Sequence, residues 1–530
     1  MLKRTIESID RSAADKTPRE SVADILNFMN TDKCYDGNVL VLYGLRRTGK
    51  TTMVEQAFSS YTGNEKCAFY EVQNGDDLGD IQDVLVHEKA NDVSIICFDE
   101  VTKASDFITN VSVLADVFAK EGMKIILAGT DSLAFHLADS TELYDRTVQV
   151  KTTHITFAEH AKVLGVSDID DYIEYGGLMR PGADRNSGVY DYESACKYLD
   201  SSVAENIVNS IQKSAEDNCL EVLPVDEMKT IIEKLVEIYG GRFDKKLAQR
   251  ALTTVSVNDA PKRVSTSEID ADIINKLVSK KEKQIIAKEF LPMINASDAV
   301  KTQVTDTMIS KLRKYLLNMD VLSATPLYSY EYNDAIGWDY STDFEYYIVQ
   351  PAIKYYHLQE GKKFFLNSNE YKELTQYQRN LLAQKLDEKI KGDMLEQIVL
   401  FDVRSDLNDT YFDVLKPEFR INGQKKGEYD MLIYDKQQNG YWCFEIKHSK
   451  HQFDKQVIHL KNEKFKEVID KQYGERIDAY VLYRGETVMS DFGIQYVNVT
   501  DFLSAIHEFH NLHLALHELH VGSTPTPMTF

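Results

Sequence analysis

Residues 39–51 read VLVLYGLRRTGKT, and this pattern predicts how the first part of the chain folds. The apolar residues before the loop predict a buried strand, and a helix-like run follows it. Between them lies the pattern GxxxxGKT, whose two glycines let the loop wrap so that backbone N–H groups point at phosphate oxygens. We expect ATP to be bound by Gly44, Leu45, Arg46, Arg47, Thr48, Gly49, Lys50, Thr51 and Thr52. Lys50 is suited to the β- and γ-phosphates, and the Thr51 hydroxyl to Mg²⁺.

A second apolar strand ends in the acidic pair Asp99 and Glu100. Asp99 is suited to holding the Mg²⁺ shell, and Glu100 to polarising the attacking water. A third predicted strand ends in a polar turn, where Thr130 could sense the γ-phosphate. Thr130 is the first choice, ahead of Asp131 and Ser132. A strand-terminal turn that is simply rich in turn formers is the alternative.

Short apolar runs alternate with helical stretches through this part of the chain. Alternating helices and buried strands predict an α/β fold, in which helices cover both faces of a parallel sheet. At 530 residues the chain is too long for one hydrophobic core. We therefore expect a multidomain protein of about three or four domains.

The composition is that of an ordinary globular protein, with 43% hydrophobic and 27% charged residues. The six cysteines are scattered without CxxC spacing, which argues against a disulfide framework or a zinc ribbon and fits a reducing cytoplasm. The first residues lack the apolar core of a signal peptide, and no run approaches the ~18 apolar residues of a membrane helix. We expect a cytoplasmic protein with no membrane partner. The net charge of −23 argues against a chain coated with nucleic acid.

The nucleotide-binding segment resembles AAA+ ATPases of the archaeal-ATPase-like group, relatives of the signal-transducing P-loop ATPases. The resemblance is carried by the loop at 44–52, the acidic pair at 99–100, the turn at 129–132, and the stretches 143–146, 155–159 and 175–181. In this family the arginine of the Leu-x-x-Arg turn lies near the nucleotide or a neighbouring subunit. The resemblance thus implies that Arg146 is a sensor or finger, with a homo-oligomer among the expected partners. A surface salt bridge is the alternative, and Asp145, where members usually have glycine, could tie up this arginine.

Residues 276–320 are basic within an acidic chain. They include nine Lys or Arg residues against five acidic ones. A predicted helix there presents Lys311, Arg313 and Lys314, which could enter a DNA groove or line its phosphates. Related ATPases carry a winged helix at this place, and residues 321–330 would be its wing. The segment is therefore either a DNA contact or a packing module.

The last part of the chain holds charged residues on two apolar strands joined by a turn. Asp430 opens the first strand, and Glu445 and Lys447 lie two apart on the second, hence on one face. This spacing resembles the PD-(D/E)XK restriction-endonuclease-like fold, and Glu396 matches the acidic residue often found on the first helix of that family. Asp430 and Glu445, with Glu396, are expected to bind Mg²⁺, while Lys447 positions or helps to deprotonate a water. A hairpin face with alternating charges is the alternative.

A further feature is a set of histidines near the end of the chain. They are His507, His510, His513, His517 and His520, which fall on one broad face of a predicted helix. A solvated or subunit-packing face is favoured over metal binding or pH sensing. The HExxH zinc motif does not match, because His517 and His520 are three residues apart.

These patterns divide the chain into five parts. They are an N-terminal helical lead at 1–36, a P-loop ATPase core at 37–156, a helical lid at 157–265, a winged-helix-like unit at 266–350 and a restriction-endonuclease-like α/β domain with a His-rich C-terminal helix at 351–530. The leading hypothesis is an ATP-controlled, Mg²⁺-dependent DNA endonuclease of prokaryotic mobile-element or defence type. The alternative is an ATP-driven regulatory switch, whose inactive C-terminal domain docks a partner or DNA. The acidic total favours the switch, and the complete Asp–Glu–Lys set favours the enzyme.

Overall fold

The computed structural model describes residues 1–13, 16–31, 37–179, 189–213, 219–239, 304–335, 337–367, 372, 375–407 and 411–519. Two β-sheets organise these residues, one of six strands in the first part of the chain and one of nine strands in the second. Helices pack against both sheets. Among the helices in the described ranges, none has both the length and the apolar character needed to cross a membrane.

The first sheet is the predicted parallel sheet. Its strands are β1 (Leu2–Arg4), β2 (Val39–Tyr43), β3 (Lys66–Glu71), β4 (Val93–Asp99), β5 (Lys124–Gly129) and β6 (Thr147–Lys151). The strand order is β1-β3-β4-β5-β2-β6, and all neighbours are parallel except β1, which runs antiparallel to β3. Because the carboxyl ends of parallel strands meet at one edge of a sheet, the loops after β2, β4 and β5 lie close together.

Helices cover both faces of the first sheet. They are α1 (Ile6–Ala13), α2 (Val22–Asn30), α3 (Lys50–Ser60), α4 (Leu78–Ala90), α5 (Phe107–Asn110), a π-helical stretch at Leu114–Ala119, and α6 (Ser132–Ser140). Successive residues of β2 point to opposite faces. Leu40 and Leu42 join a core with Ile25 of α2 and Met53 of α3, whereas Val41 joins the core beneath α4 and α5. The whole of β2 is buried, as expected for a strand covered on both sides.

The first residues differ from the predicted helical lead. Leu2–Arg4 pairs with β3 at the edge of the sheet, and the ammonium group of Met1 donates to Asp76 at 3.1 Å. An edge strand offers unpaired backbone groups that an additional strand satisfies. This pairing is a tertiary effect, which the local pattern of the lead does not reveal.

A helical unit follows the first sheet. Its described helices are α7 (Phe157–Leu164), α8 (Ile169–Tyr175), α9 (Tyr192–Leu199), a π-helical stretch at Asp200–Ala204, α10 (Glu205–Lys213), α11 (Val225–Tyr239) and α12 (Asp306–Asn318). Helices α9 to α12 share one core with Leu45 of the loop between β2 and α3 and with Leu133 of α6. The unit therefore packs at the edge of the first sheet where the loops after β2, β4 and β5 lie. The parts of the predicted lid and winged-helix unit at 240–303 lie outside the described residues.

The second sheet is mixed. Its strands are β7 (Leu322–Asn333), β8 (Gly337–Ile348), β9 (Phe412–Ile421), β10 (Gln424–Glu428), β11 (Met431–Asp435), β12 (Gly440–Lys447), β13 (Glu475–Tyr483), β14 (Val488–Met489) and β15 (Gln495–Asn498). The order is β14-β15-β13-β12-β11-β9-β7-β8, with β10 paired to β9. Strands β11 and β12 form the predicted hairpin, with Met431 opposite Phe444, and β13 runs parallel to β12.

The segment expected as a wing belongs to this second sheet. Strand β7 pairs antiparallel with β8 on one side and parallel with β9 on the other. The boundary expected at residue 350 therefore separates strands of one sheet. The physical reason is that β7 has two edges, and pairing with β8 alone leaves one of them free for β9. Alternating residues predict that a strand forms, but not which sheet it joins.

Five described helices accompany the second sheet. They are α13 (Pro351–Leu366), α14 (Gln376–Leu407), α15 (Glu463–Tyr473), α16 (Val499–Phe509) and α17 (Leu512–Glu518). Helices α14, α16 and α17 share one core, which includes Met394 and Phe502, whereas Phe465 of α15 lies in a separate core. The expected single histidine-rich helix is divided into α16 and α17, because His510 adopts a left-handed φ of 48°. His520 lies outside the described residues.

Candidate active sites

The loop between β2 and α3 has the conformation for which glycine is suited. Gly44 and Gly49 have φ values of 154° and 90°, and Gly49 is the N-cap of α3. A Cβ atom on Gly44 would stand 2.3 Å from Thr152 Oγ1, so no side chain fits there. The loop and the N-terminal end of α3 thus form a backbone cradle, where N–H groups and the helix dipole favour a phosphate.

Lys50 is folded over this cradle. Its Nζ donates to the carbonyl oxygens of Gly44 and Leu45, both at 2.7 Å. Burial lowers the pKa of Lys50 to about 8, although the charges of Glu100 and Asp99 raise it. Because neutral oxygens hold this ammonium group, a phosphate that enters the loop can take over its hydrogen bonds and strengthen them by its charge.

The acidic pair at the end of β4 lies beside the cradle. The Thr51 hydroxyl donates to Asp99 Oδ2 at 2.7 Å, and Asp99 Oδ1 accepts from the backbone N–H of Glu100 at 2.9 Å. The Thr130 hydroxyl donates to Glu100 Oε2 at 3.1 Å. Burial raises the pKa of Asp99 despite the hydrogen bond from Thr51. A hydroxyl beside a carboxylate supplies the hard oxygen ligands that Mg²⁺ prefers.

Arg19 ties the nucleotide loop to the rest of the core, and sequence reasoning missed it. Its guanidinium donates to the carbonyl oxygens of Thr48 at 2.7 Å and Thr152 at 3.0 Å. It also forms a bidentate pair with Glu159 at 2.9 and 2.8 Å. The Arg19 and Glu159 side chains are only 5% and 8% exposed. No local motif marks Arg19, because its partners are distant in sequence.

Helix α10 also supports the site through residues that the sequence did not single out. Asn206 Nδ2 donates to the carbonyl oxygen of Thr130 at 3.0 Å, and the Ser210 hydroxyl donates to Asp131 at 2.9 Å. Burial raises the pKa of Asp131 to about 6, and this side chain caps α6. Asp131 therefore holds helices together, whereas Thr130 is the residue of this turn that contacts Glu100.

The structure does not bring Arg146 to this site within one chain. Arg146 precedes β6, whose last residue, Lys151, lies opposite Tyr43 at the nucleotide edge. About five strand residues, on the order of 16 Å, separate Arg146 from that edge. Its Nη1 is 2.6 Å from Asp116, which is the salt-bridge alternative. The expected sensor role within the chain is therefore not supported, and a role towards a neighbouring subunit stays a prediction.

A second charged cluster lies where β11 and β12 meet. Lys447 Nζ is 2.6 Å from Asp430 Oδ2 and 2.5 Å from Glu445 Oε2. Asp430 Oδ2 also accepts from the backbone N–H of Ile446 at 2.7 Å. The Asp430 and Glu445 side chains are buried, at 5% and 2% exposure. The structure therefore brings the three predicted residues into one compact ion cluster.

The pKa values in this cluster follow from burial and mutual charge. Burial would raise the pKa of Asp430, but Lys447 holds it below its ordinary value. Burial, and then the charge of Asp430, raise the pKa of Glu445 well above its ordinary value. Burial would lower the pKa of Lys447, but the two carboxylates raise it above its ordinary value. Lys447 is therefore a protonated cation in this arrangement.

Glu396 has a different partner from the other expected metal ligands. Lys416 Nζ lies 2.7 Å from Glu396 and 3.0 Å from Glu345. Burial raises the pKa of Glu396 to about 7 in spite of Lys416, and the charge of Asp430 adds to the rise. Across the described ranges, no three His, Cys, Asp or Glu side chains converge as metal ligands. A metal here would therefore rest on Asp430 and Glu445, with water completing its shell.

Most of the basic segment lies outside the described residues, which resume at residue 304. Helix α12 contains its last part. Lys314 is exposed, but the Arg313 guanidinium lies over the Tyr346 ring at 5.1 Å, and Leu312 is buried in the core of the helical unit. Helix α12 therefore has a packing role, and contact of this segment with DNA stays a prediction.

Comparisons with known proteins bear on the first of these two sites. No curated protein matches the chain. Among solved structures, the S. cerevisiae Hsp104–casein complex in its extended conformation matches at 12% identity and a TM-score of 0.25, over 48% of this chain and 49% of the matched chain. The present chain thus spans about half of that chain, and a likeness this low carries no weight for fold or function. A family model described as an AAA domain matches residues 36–161. That range includes strands β2 to β6 and both halves of the nucleotide site, so this part of the chain is an AAA domain of the P-loop ATPase class.

Proposed function

We propose that this chain is an ATP-controlled, Mg²⁺-dependent DNA endonuclease. The AAA domain would bind ATP on the loop at 44–52, with Lys50 on its phosphates. Thr51 and Asp99 would hold Mg²⁺, and Glu100 would orient the attacking water and draw off its proton. Thr130, which donates a hydrogen bond to Glu100, would sense the γ-phosphate.

The nuclease part is carried by the contact of Lys447 with both Asp430 and Glu445. The surrounding elements support it, because α14 is followed by antiparallel β9, β11 and β12, then by α15 and by β13 parallel to β12. This is the order implied by the resemblance to the PD-(D/E)XK fold. Charges that merely alternate on a solvated hairpin would not be buried together, as these carboxylates are.

The side chains fit a magnesium ion by their chemistry. Glu445 Oε1 is buried and has no hydrogen-bond partner among the described residues, which is unfavourable for a carboxylate oxygen. Mg²⁺ is bound through one or two carboxylates together with waters and phosphate oxygens. Asp430 and Glu445 would therefore suffice as its protein ligands. When bound, the metal supplies positive charge to the scissile phosphate and a water of lowered pKa.

Lys447 would act on the phosphate as a cation. Because Asp430 and Glu445 raise its pKa above the ordinary value, positioning is favoured over deprotonation of the water. In the cleavage step the water oxygen forms a bond to phosphorus and gives up its proton to solvent. The bond from phosphorus to one sugar oxygen breaks, and that oxygen takes up a proton and leaves as a hydroxyl.

One observation favours a second function, an ATP-driven switch whose C-terminal domain binds a partner or DNA without cutting. Lys447 already forms ion pairs with both Asp430 and Glu445, and Glu396 is paired with Lys416. A cluster whose carboxylates are already paired with lysines resembles an active site that has lost its activity and is retained for its structural role. In that case the nucleotide site would control docking alone.

Plasmid cleavage in the presence of Mg²⁺ separates the two functions. We expect the wild type to nick or linearise supercoiled DNA. Asp430→Ala and Lys447→Ala should each lose at least about 100-fold of this rate while ATP turnover continues. Lys436→Ala, at an exposed lysine of the same hairpin, is the matched control. Cleavage that survives both site changes would indicate contamination and contradict the nuclease function, and a wild type that never cleaves would support the switch.

A further inference from the structure

Basic residues lie directly beyond Lys447 at the edge of the second sheet. Strands β12 and β13 are parallel, with Lys447 opposite Tyr483, so the next residues of the two strands, His448 and Arg484, are neighbours. Arg484 Nη1 lies 3.2 Å from His448 Nε2. Lys391 of α14 approaches the same place through a shared partner, Asp170. We call His448, Arg484 and Lys391 the basic cluster.

An acidic residue of the helical unit occupies the basic cluster. Asp170 of α8 lies 2.6 Å from His448 Nε2, 2.8 Å from Arg484 Nη2 and 3.3 Å from Lys391 Nζ. Just before it in sequence, Asp168 lies 3.5 Å from Arg484. Burial would raise the pKa of Asp170, but the hydrogen bond from His448 and the nearby charges lower it well below its ordinary value. The carboxylate thus presents charged oxygens to these donors much as a phosphate would.

The basic cluster continues into an accessible cleft of about 230 Å³. Asp168, Arg484, Lys450 and Thr500 are among the residues that line it. Lys450 is exposed and follows β12, so the cleft that Arg484 lines contains a further cation. A polynucleotide bound at Lys447 would need such cations for the phosphates that flank the scissile bond. In a chain of net charge −23, a local basic surface of this kind is where a polyanion can approach.

Apolar packing holds α8 in this position. Ile169, Tyr172 and Ile173 are buried in the same core as Met394 of α14 and Phe444 of β12. The acidic first turn of α8 is therefore fixed by the rest of the helix. A shift of α8 would carry Asp170, together with the preceding Asp168, away from the basic cluster.

The segment that contains α8 also contacts the nucleotide loop. The backbone N–H of Met179, a few residues after α8, donates to the carbonyl oxygen of Arg47 at 2.8 Å. Preceding α8, the backbone N–H of Phe157 donates to Asp402 of α14 at 2.8 Å. Residues 157–179 thus join the loop that would hold phosphate to the unit that carries Lys447. A rearrangement of the loop around ATP would reach α8 through this contact of Met179, four residues after the helix ends.

We propose that the basic cluster binds the DNA backbone beside the nuclease-like site, and that Asp168 and Asp170 act as an acidic plug that α8 withdraws when the nucleotide loop rearranges. The proposal rests on the proposed function, because it takes DNA as the substrate of the Lys447 site. It adds the residues that hold the flanking phosphates and the contact by which the AAA domain restrains them.

Binding of a fluorescent DNA duplex by a cleavage-deficient chain tests the plug. In an Asp430→Asn background, the double change Asp168→Asn/Asp170→Asn should tighten binding at least about 10-fold, because two carboxylates no longer compete with phosphate. Adding Arg484→Ala should reverse the gain and reduce the salt slope by about 1. Asp171→Asn removes the same charge from an exposed position on α8, and it should change the affinity by less than about twofold.

Unchanged affinity of a double variant that melts like its parent would overturn the plug, as would equal tightening by Asp171→Asn. Tightening seen for RNA alone would overturn DNA as the occupant. A cleavage assay separates these results from the proposed function. Tighter binding without cleavage by any active-site-intact chain supports the basic cluster and contradicts the nuclease. Cleavage by the wild type, with no gain of DNA binding in the double variant, would contradict the plug but agree with the nuclease function.

Discussion

The lysines of the two sites, Lys50 and Lys447, are held by different kinds of partner. Lys50 donates to neutral carbonyl oxygens of its own loop. Lys447 lies between the carboxylates of Asp430 and Glu445. Burial lowers the pKa of Lys50 to about 8, whereas the carboxylates raise the pKa of Lys447 against its burial. The same type of side chain is thus held by neutral acceptors in one site and by charged acceptors in the other.

The difference indicates how each site responds to its ligand. A phosphate approaching Lys50 replaces neutral acceptors with charged ones, so binding strengthens the hydrogen bonds of the ammonium group. A divalent cation approaching Asp430 and Glu445 must compete with Lys447 for the same carboxylates. Under the proposed function, the nucleotide site would bind its ligand without breaking an ion pair, whereas the second site would bind a metal only by displacing one. Substitutions at each site test this difference.

The largest effect is expected from Glu100→Gln. The amide can keep the hydrogen bond with Thr130 but cannot draw a proton from water, so ATP turnover should fall about 1000-fold. ATP affinity should stay close to that of the wild type, because Lys50 and its loop are intact. Phosphate release and ATP titration measure the two quantities. Glu121→Gln, at an exposed position of the same domain, is the control, and unaffected turnover in Glu100→Gln would place the catalytic base elsewhere.

The next largest effect concerns Lys447→Met. Removing this ammonium leaves two buried carboxylates without their cation, which should lower the free energy of unfolding by about 3 kcal/mol. Mg²⁺ should recover much of the loss, because it can bind where Lys447 was. Thermal melting with and without Mg²⁺ measures both effects. Lys450→Met, at an exposed lysine nearby, should change the free energy of unfolding by less than about 0.5 kcal/mol.

Equal stabilisation of the wild type and Lys447→Met by Mg²⁺ would contradict competition between metal and lysine for these carboxylates. Larger stabilisation of the variant than of the wild type would agree with that competition. The same pair of melts therefore tests the contrast with Lys50, whose partners are uncharged.

A smaller effect is expected from Arg19→Met. The change leaves Glu159 buried without its partner and releases the carbonyl oxygen of Thr48, so the loop should lose its fixed position. We expect ATP affinity to fall on the order of 10-fold to 100-fold. Lys162→Met removes an exposed lysine of the same region that pairs with Glu20, and it should leave ATP affinity unchanged. Equal ATP affinity of Arg19→Met and the wild type would show that the loop keeps its shape without this arginine.

The smallest predicted effect is a pH dependence of ATP binding. Because the pKa of Lys50 is lowered to about 8, this side chain is charged below that pH and neutral above it. A triphosphate binds the charged form, so its affinity should fall about 10-fold from pH 7 to pH 9. Lys50→Arg keeps its charge throughout this range. Its ATP affinity should therefore lack the step near pH 8, and an identical step in both proteins would assign the titration to another group.

The local motifs were readable from the sequence because their geometry is local. Two glycines and a lysine at fixed spacing specify a phosphate loop, and period-two alternation puts Glu445 and Lys447 on one face. The contacts of Arg19, Asn206 and Asp170 could not be read in this way. Each joins segments far apart in the chain, and neither composition nor periodicity encodes which distant groups meet.

The parts that differed from expectation have the same origin. The sequence of β7 predicts a strand, but its pairing with β9 depends on a free edge that exists only in the folded protein. Arg146 matches a family pattern, but it precedes β6 and so lies at the end of that strand away from the loop between β2 and α3. The spacing of the histidines predicts one helical face, whereas the left-handed residue His510 divides that helix in two.

Titration of the purified wild-type chain and of Lys50→Ala with ATP and Mg²⁺ tests whether the loop at 44–52 binds the nucleotide. We expect saturable binding by the wild type and loss of at least about 100-fold in affinity in the variant, because a buried charge on the phosphates is removed. Lys89→Ala, at an exposed lysine of the AAA domain, should bind as the wild type does. Failure of the wild type to bind any nucleoside triphosphate, or equal binding by Lys50→Ala, would contradict a nucleotide site on the loop at 44–52.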